Sequence, residues 1–232
     1  WKPTIVPNME QLDNNSKNAL WYAVKNRDTL LVSSLLERGA NPQSLDMLTS
    51  IVDYPSYDKQ KKTLINLFVE REVSPNSQQL LKTIQLNHED CFLKLENALN
   101  GTTLTVDHYN EFLNEAVIVE NKNIAKHCVN KGGDANLLTG YALEKADKDL
   151  MIFCLDKGAK ADPFANYAIE KNDNDFLTLC VDKYQCDKNK ALLTCCNLKK
   201  SDYAIDLLEK GADANFPMLE ILTTSFSLNV EY

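Results

Sequence analysis

Cysteine and histidine are the side chains here best suited to chemistry, and their spacing limits what that chemistry is. Seven cysteines stand at 91, 128, 154, 180, 186, 195 and 196. An odd number, one adjacent pair and no Cys-x-x-Cys indicate neither a disulfide framework nor a zinc site. A reducing compartment is the simplest setting. Cys91 follows His88 by three residues, but a thiolate nucleophile needs a base within hydrogen-bond reach, not nearness in sequence. His88, His108 and His127 show no ligand spacing, so no metal is expected.

Cys128, Cys154 and Cys180 recur at intervals of 26 residues. Equivalent positions elsewhere hold Leu35, Phe68 and Leu207, so cysteine is read there as a small core hydrophobe. Asp134, Asp162, Asp187 and Asp213 follow the chain's recurring turns by two to four residues. Helix capping or turn stabilisation explains them better than acid–base work. The sequence has no Gly-rich phosphate loop, Gly-x-Ser-x-Gly elbow or His-Glu-x-x-His. No catalytic residue and no cofactor are therefore expected, and the chain does not read as an enzyme.

The elements that hold these residues recur. Turn residues Gly39, Glu72, Gly101, Gly132, Gly158, Tyr184 and Gly211 are separated by 33, 29, 31, 26, 26 and 27 residues, the signature of stacked units. Eight residues before each stand Leu31, Leu64, Leu93, Ile124, Leu150, Phe176 and Tyr203. Three before stand Leu36, Val69, Ala98, Val129, Leu155, Val181 and Leu208. These offsets lie on one face of a helix that ends at the turn. Sixteen residues before the turn, Ala23, Ala116, Ala142, Ala168 and Cys195 let a first helix approach closely, with Ser56 and Gln85 in the other two units. Arg38, Lys131, Lys157, Lys183 and Lys210 immediately precede the turn, where a cation meets the negative end of a helix dipole.

NALWYAVKNRDTLLVSSLLERGANP (Asn18 to Pro42) and ALLTCCNLKKSDYAIDLLEKGADAN (Ala191 to Asn215) resemble ankyrin repeats. The resemblance is strong in units 18–42 and 113–215 and weak over 43–112, with a cut repeat at 216–232. It implies a single all-α repeat domain over 1–232, an ankyrin-like helix-turn-helix solenoid of about seven units. The usual Thr-Pro-Leu-His opening is missing; the first unit reads Asn18-Ala19-Leu20-Trp21. Ankyrin units run about 33 residues, so spacings of 26 and 27 imply shortened inter-repeat β-hairpins, with Leu137–Tyr141 and Pro163–Tyr167 as tight turns.

A net charge of −8 argues against nucleic acid or an anionic membrane as partner. No stretch is long and apolar enough for membrane insertion, and no signal peptide opens the chain, so a cytoplasmic setting is expected. The resemblance implies a module that binds another protein through a concave face. The residues expected there are Trp21, Lys25, Arg27, Leu138, Tyr141, Phe164, Lys171, Asn174, Lys199 and Phe216. Tyr22, Tyr141 and Tyr167 share a slot read mainly as core. Divergence and Asn- and Lys-rich wording resemble ankyrin effectors of intracellular bacteria, or of large DNA viruses; a bacterial effector secreted into the host cytoplasm is favoured. The alternative is a segment of a larger enzyme, either non-catalytic or completing its site through irregular residues 43–112. The chain starts at Trp1 without Met, and Phe216–Tyr232 has a first-helix pattern with no following turn. It therefore reads as part of a longer polypeptide.

Overall fold

Asn, Asp or Thr stands one residue before the start of most helices, and each such cap satisfies an otherwise orphaned N–H. Asn18, Asp28, Asp58, Asn76, Thr105, Asn121, Asp147, Asp173 and Asp187 all accept from first-turn amides, each cap contributing about 1 kcal/mol. The computed structural model describes residues 11–13, 17–43, 46–99 and 103–216. Fourteen complete α-helices lie within them, and no residue among them is in a β-strand.

The helices form seven pairs: α1 (Ala19–Lys25) with α2 (Thr29–Glu37), α3 (Met47–Val52) with α4 (Lys59–Val69), α5 (Ser77–Gln85) with α6 (Glu89–Asn97), α7 (Val106–Ile118) with α8 (Lys122–Asn130), α9 (Thr139–Glu144) with α10 (Lys148–Asp156), α11 (Asp162–Lys171) with α12 (Asn174–Asp182), and α13 (Lys188–Asn197) with α14 (Ser201–Glu209). They fall into two compact units, residues 1–133 and 134–232. In the first unit, α1, α3, α5 and α7 pack in a row and α2, α4 and α6 in another. In the second unit, α9, α11 and α13 form the row of first helices.

Two turns with the same hydrogen-bond pattern, an amide donating to the carbonyl five residues back, recur in most pairs. At the end of the second helix, Gly39, Gly132, Gly158 and Gly211 have φ of 89–105° and Glu72 has φ 59°. There the next amide reaches back to the last turn, as from Ala159 N–H to the Cys154 carbonyl at 3.0 Å, a Schellman closure. Between first and second helices, Arg27, Asn87, Glu120, Ala146, Asn172 and Lys199 take φ of 50–58°. The residue after each donates its amide to Ala23, Thr83, Ala116, Ala142, Ala168 or Cys195. These small residues are fully buried or nearly so, which explains the recurring alanine: it is the acceptor of this turn and the point of closest helix approach.

Buried apolar stripes follow the expected period. Ile124, Cys128 and Val129 in α8, Leu150, Cys154 and Leu155 in α10, and Phe176, Cys180 and Val181 in α12 are all buried. The recurring cysteines are core residues. Leu31 and Leu208 occupy the same stripes but are 47% and 40% exposed.

Three expectations are corrected. Gly101 lies outside the described residues, and α6 ends at Asn97, two residues earlier than that anchor required. Its stripe is therefore Cys91, Phe92, Leu95 and Glu96, while Leu93 and Ala98 are half-buried. In the sixth pair the left-handed residue is Gln185, φ 53°, rather than Tyr184. The expected turns Leu137–Tyr141 and Pro163–Tyr167 are helical: Ala135–Leu138 form a 3-10 turn leading into α9, and Pro163 stands in the first turn of α11, where its missing N–H costs nothing.

Neighbouring pairs are joined through matching slots. Asn136 Oδ1 accepts from Lys160 N–H at 2.9 Å, Asp162 Oδ1 from Asp187 N–H at 2.8 Å, and Asn189 Oδ1 from Asp213 N–H at 2.8 Å. Bases at the C-terminal ends of second helices also reach backward. Arg71 donates to the Leu36 carbonyl at 2.9 Å, and Lys183 and Lys210 pair with Asp156 and Asp182 at 2.9 and 3.4 Å. Each cation thus meets the C-terminal end of the preceding second helix, where the dipole is negative.

Candidate functional site

The ten expected contact residues divide sharply by burial. Leu138 and Phe164 are fully buried and leave the expected contact surface: Leu138 closes the 3-10 turn and Phe164 faces the core from the first turn of α11. Lys25, Lys171, Asn174 and Lys199 are exposed; Trp21, Arg27, Tyr141 and Phe216 are half-buried. Trp21 meets Tyr22 edge-on at 5.1 Å, and Lys17 Nζ lies 4.7 Å over its ring. Arg27 is engaged within the first unit, ion-paired to Asp58 and 5.0 Å over the Tyr54 ring.

Residues 134–216 bring several of the others together. Tyr141 and Tyr167 occupy one slot on adjacent helices α9 and α11, and both are half-buried rather than core. The slot stands one residue before a buried alanine, Ala142 or Ala168, and one residue turns a helix by about 100°, which puts the tyrosine on the boundary. Tyr22, in the same slot, is 41% exposed. Lys145 Nζ lies 5.6 Å over Tyr141, and Lys171 Nζ lies 5.8 Å over Tyr167. These are repeated cation–π pairs on an i, i+4 spacing. Beside them, two grooves of about 540 and 650 Å³ separate consecutive turns. Lys171 and Asn174 line the first; Asn172, Asn174 and Lys199 line the second. Lys148–Asp173 and Lys200–Asn172 contacts tie the turns across them.

Two buried polar clusters in residues 1–133 escaped the sequence reading. Lys61 is wholly buried, and its Nζ contacts the Val52 and Tyr54 carbonyls at 2.6 Å each and His88 Nδ1 at 3.2 Å. Burial pushes the ammonium down to about 8. His88 is lowered by burial and by the Lys61 charge, while burial raises the Cys91 thiol to about 12. With the Cys91 thiol held protonated by burial and His88 Nδ1 engaged by Lys61, the two are poorly arranged for nucleophilic attack.

In the second cluster, Glu96 fills a stripe position that is apolar in every other pair. Its oxygens accept from Tyr109 Oη at 2.8 Å and lie 2.7 Å from His127 Nε2 and 3.8 Å from Lys131 Nζ. Burial, then the bond to Glu96, raises the Tyr109 phenol. The signal for Glu96 was hidden by the displaced Gly101 anchor. The signal for Lys61 was Pro55, which interrupts its pair between the two helices.

Among the described residues no cluster of three or more His, Cys, Asp or Glu has a metal-holding arrangement, and no helix is long and apolar enough to cross a membrane. No protein-family model matches the chain, and no curated protein matches it significantly.

Proposed function

We propose that this chain is a divergent ankyrin-type module that binds another protein through the exposed faces of its first helices, within an effector directed at a host-cell protein. The observation that carries this reading is the repeated pairing of Tyr141 with Lys145 and Tyr167 with Lys171 on adjacent first helices. Half-exposed aromatics with fixed neighbours are economical binding anchors, since little side-chain freedom is lost on contact. The ankyrin assignment draws on the helix pairs, their left-handed turns and the connections of a few residues after Gly158 and Gln185. Sequence divergence and short repeats support the effector reading.

The test is affinity capture from host-cell lysate, followed by measurement of the recovered partner's affinity for defined variants. Tyr141→Ala combined with Tyr167→Ala is expected to weaken binding about 30-fold or more, the level of a hot spot. Trp21→Ala tests the first unit in the same way. Asp149→Lys, on second helix α10, should leave binding unchanged. The reading fails if both aromatic variants bind like the parent while Asp149→Lys abolishes capture.

A further inference from the structure

We propose that His88 and Lys61 form an acid-sensing latch on the Asp53–Asp58 connector, closed by the neutral imidazole and released when it gains a proton. The second helix pair is the one described pair in which the short left-handed turn between helices is replaced by a six-residue connector, Asp53–Asp58, with α4 starting at Lys59. Tyr54 N–H still donates to the Ile51 carbonyl at 3.3 Å, but the amide closure across five residues that completes the other turns is missing here. Two side chains close the connector instead.

Lys61 Nζ donates to the carbonyls of Val52 and Tyr54, and its third bond goes to His88 Nδ1. Because an ammonium only donates, Nδ1 must present a lone pair. His88 is therefore neutral, with its proton on Nε2. The same imidazole is hydrogen-bonded to the Pro55 backbone and stacked on Tyr57 at 5.1 Å and 25°. Residues 52, 54, 55 and 57 are thus gripped by one lysine and one histidine from outside the connector.

Protonation turns Nδ1 from acceptor to donor, 3.2 Å from an ammonium, in surroundings where burial makes like charges costly. His88 is coupled to Lys61 from α4, and around that pair and the stacked Tyr57 stand Asp53 and Asp58 from the connector, Lys62 from α4, Asp90 and Cys91 from α6, and Arg27 from the first pair. Tyr57 and Cys91 are held neutral by burial, both at about 12, and Asp58 is held ionised, down to about 2, by the Lys61 amide and Arg27. His88 is the member whose ordinary range falls between pH 7 and 5. The folded value of His88 is lowered, so its contribution is fully present above the unfolded value of about 6.5 and is lost as pH falls from there through the folded value, while loss of the Lys61 ammonium, held down to about 8, bounds the latch at higher pH. Release also reaches the first pair, because Tyr54 Oη donates to the Val24 carbonyl and Asp58 pairs with Arg27.

An NMR titration of the full chain from pH 7.5 to 5 tests this, following the His88 and Tyr57 rings and amide-exchange protection corrected for intrinsic rate. In the parent, the Tyr54 amide should lose at least ten-fold protection, and the Tyr57 ring should shift with the His88 midpoint, below 6.5. Amides of α7 should stay protected. His88→Asn, whose Oδ1 replaces Nδ1 as an acceptor that does not titrate in this range, should keep Tyr54 protected at pH 5. The latch is overturned if His88 titrates while Tyr54 and Tyr57 do not respond, or if His88→Asn loses the same protection as the parent. Should circular dichroism show that His88→Asn does not fold, coincidence of the His88 and Tyr57 midpoints in the parent decides.

Discussion

Six turns between first and second helices hold a side chain at φ of 50–58°, a region that disfavours most L-residues by about 1–2 kcal/mol. Asn87 and Asn172 suit it; Ala146 does not, having no polar group to bond locally. Ala146→Gly should therefore stabilise by about 0.5–1 kcal/mol, the relief of strain exceeding the entropy that glycine adds to the unfolded chain. Gly158 provides the converse. Its φ is 89°, yet a Cβ built there meets no atom within 4 Å, so Gly158→Ala should cost about 1–2 kcal/mol purely through the backbone. Urea unfolding of the two variants checks both signs; equal midpoints would remove backbone strain as the reason for these residue choices. At this scale the Gly turns were visible in the sequence, because glycine is itself the signal. The non-glycine turns were not, since Arg27, Glu120, Ala146 and Lys199 carry no mark of positive φ.

At the scale of the helix, Glu96 joins α6 to both helices of the next pair, through Tyr109 of α7 and His127 of α8. Breaking such a buried group leaves partners without an acceptor, which costs more than the bond gains. Glu96→Leu restores the apolar stripe but should still destabilise by about 1–3 kcal/mol, and adding Tyr109→Phe should recover part of the loss. A double-mutant cycle measures this: a coupling near zero would mean that the phenol and carboxylate do not act together. The helical period was legible wherever a glycine fixed the register, as in α8 and α10. It failed at α6, where taking Gly101 as anchor shifted the stripe by two residues, onto Leu93 and Ala98 and off Leu95 and Glu96. The contact residues were harder still. Leu138 and Phe164 were expected at the surface because they follow a presumed turn, whereas helix continues through both positions and rotates them inward.

For the whole molecule, the side-chain-to-amide links between consecutive pairs matter most. Asn136, Asp162 and Asn189 each accept from the amide at an equivalent place in the next repeat, so donor and acceptor are properties of the slot rather than of the particular pair. Excising Lys160–Cys186 would bring Asp187 to the place of Lys160, opposite Asn136. This shortened chain is expected to fold, with helix content reduced by one pair and a cooperative thermal transition retained; loss of that transition in circular dichroism would show that α11 and α12 are needed for more than their own stacking. The link behaves, in genetic terms, as a cohesive end. Unequal recombination between equivalent slots leaves both halves compatible, so the repeat number of such a chain changes by whole steps without a new interface having to evolve.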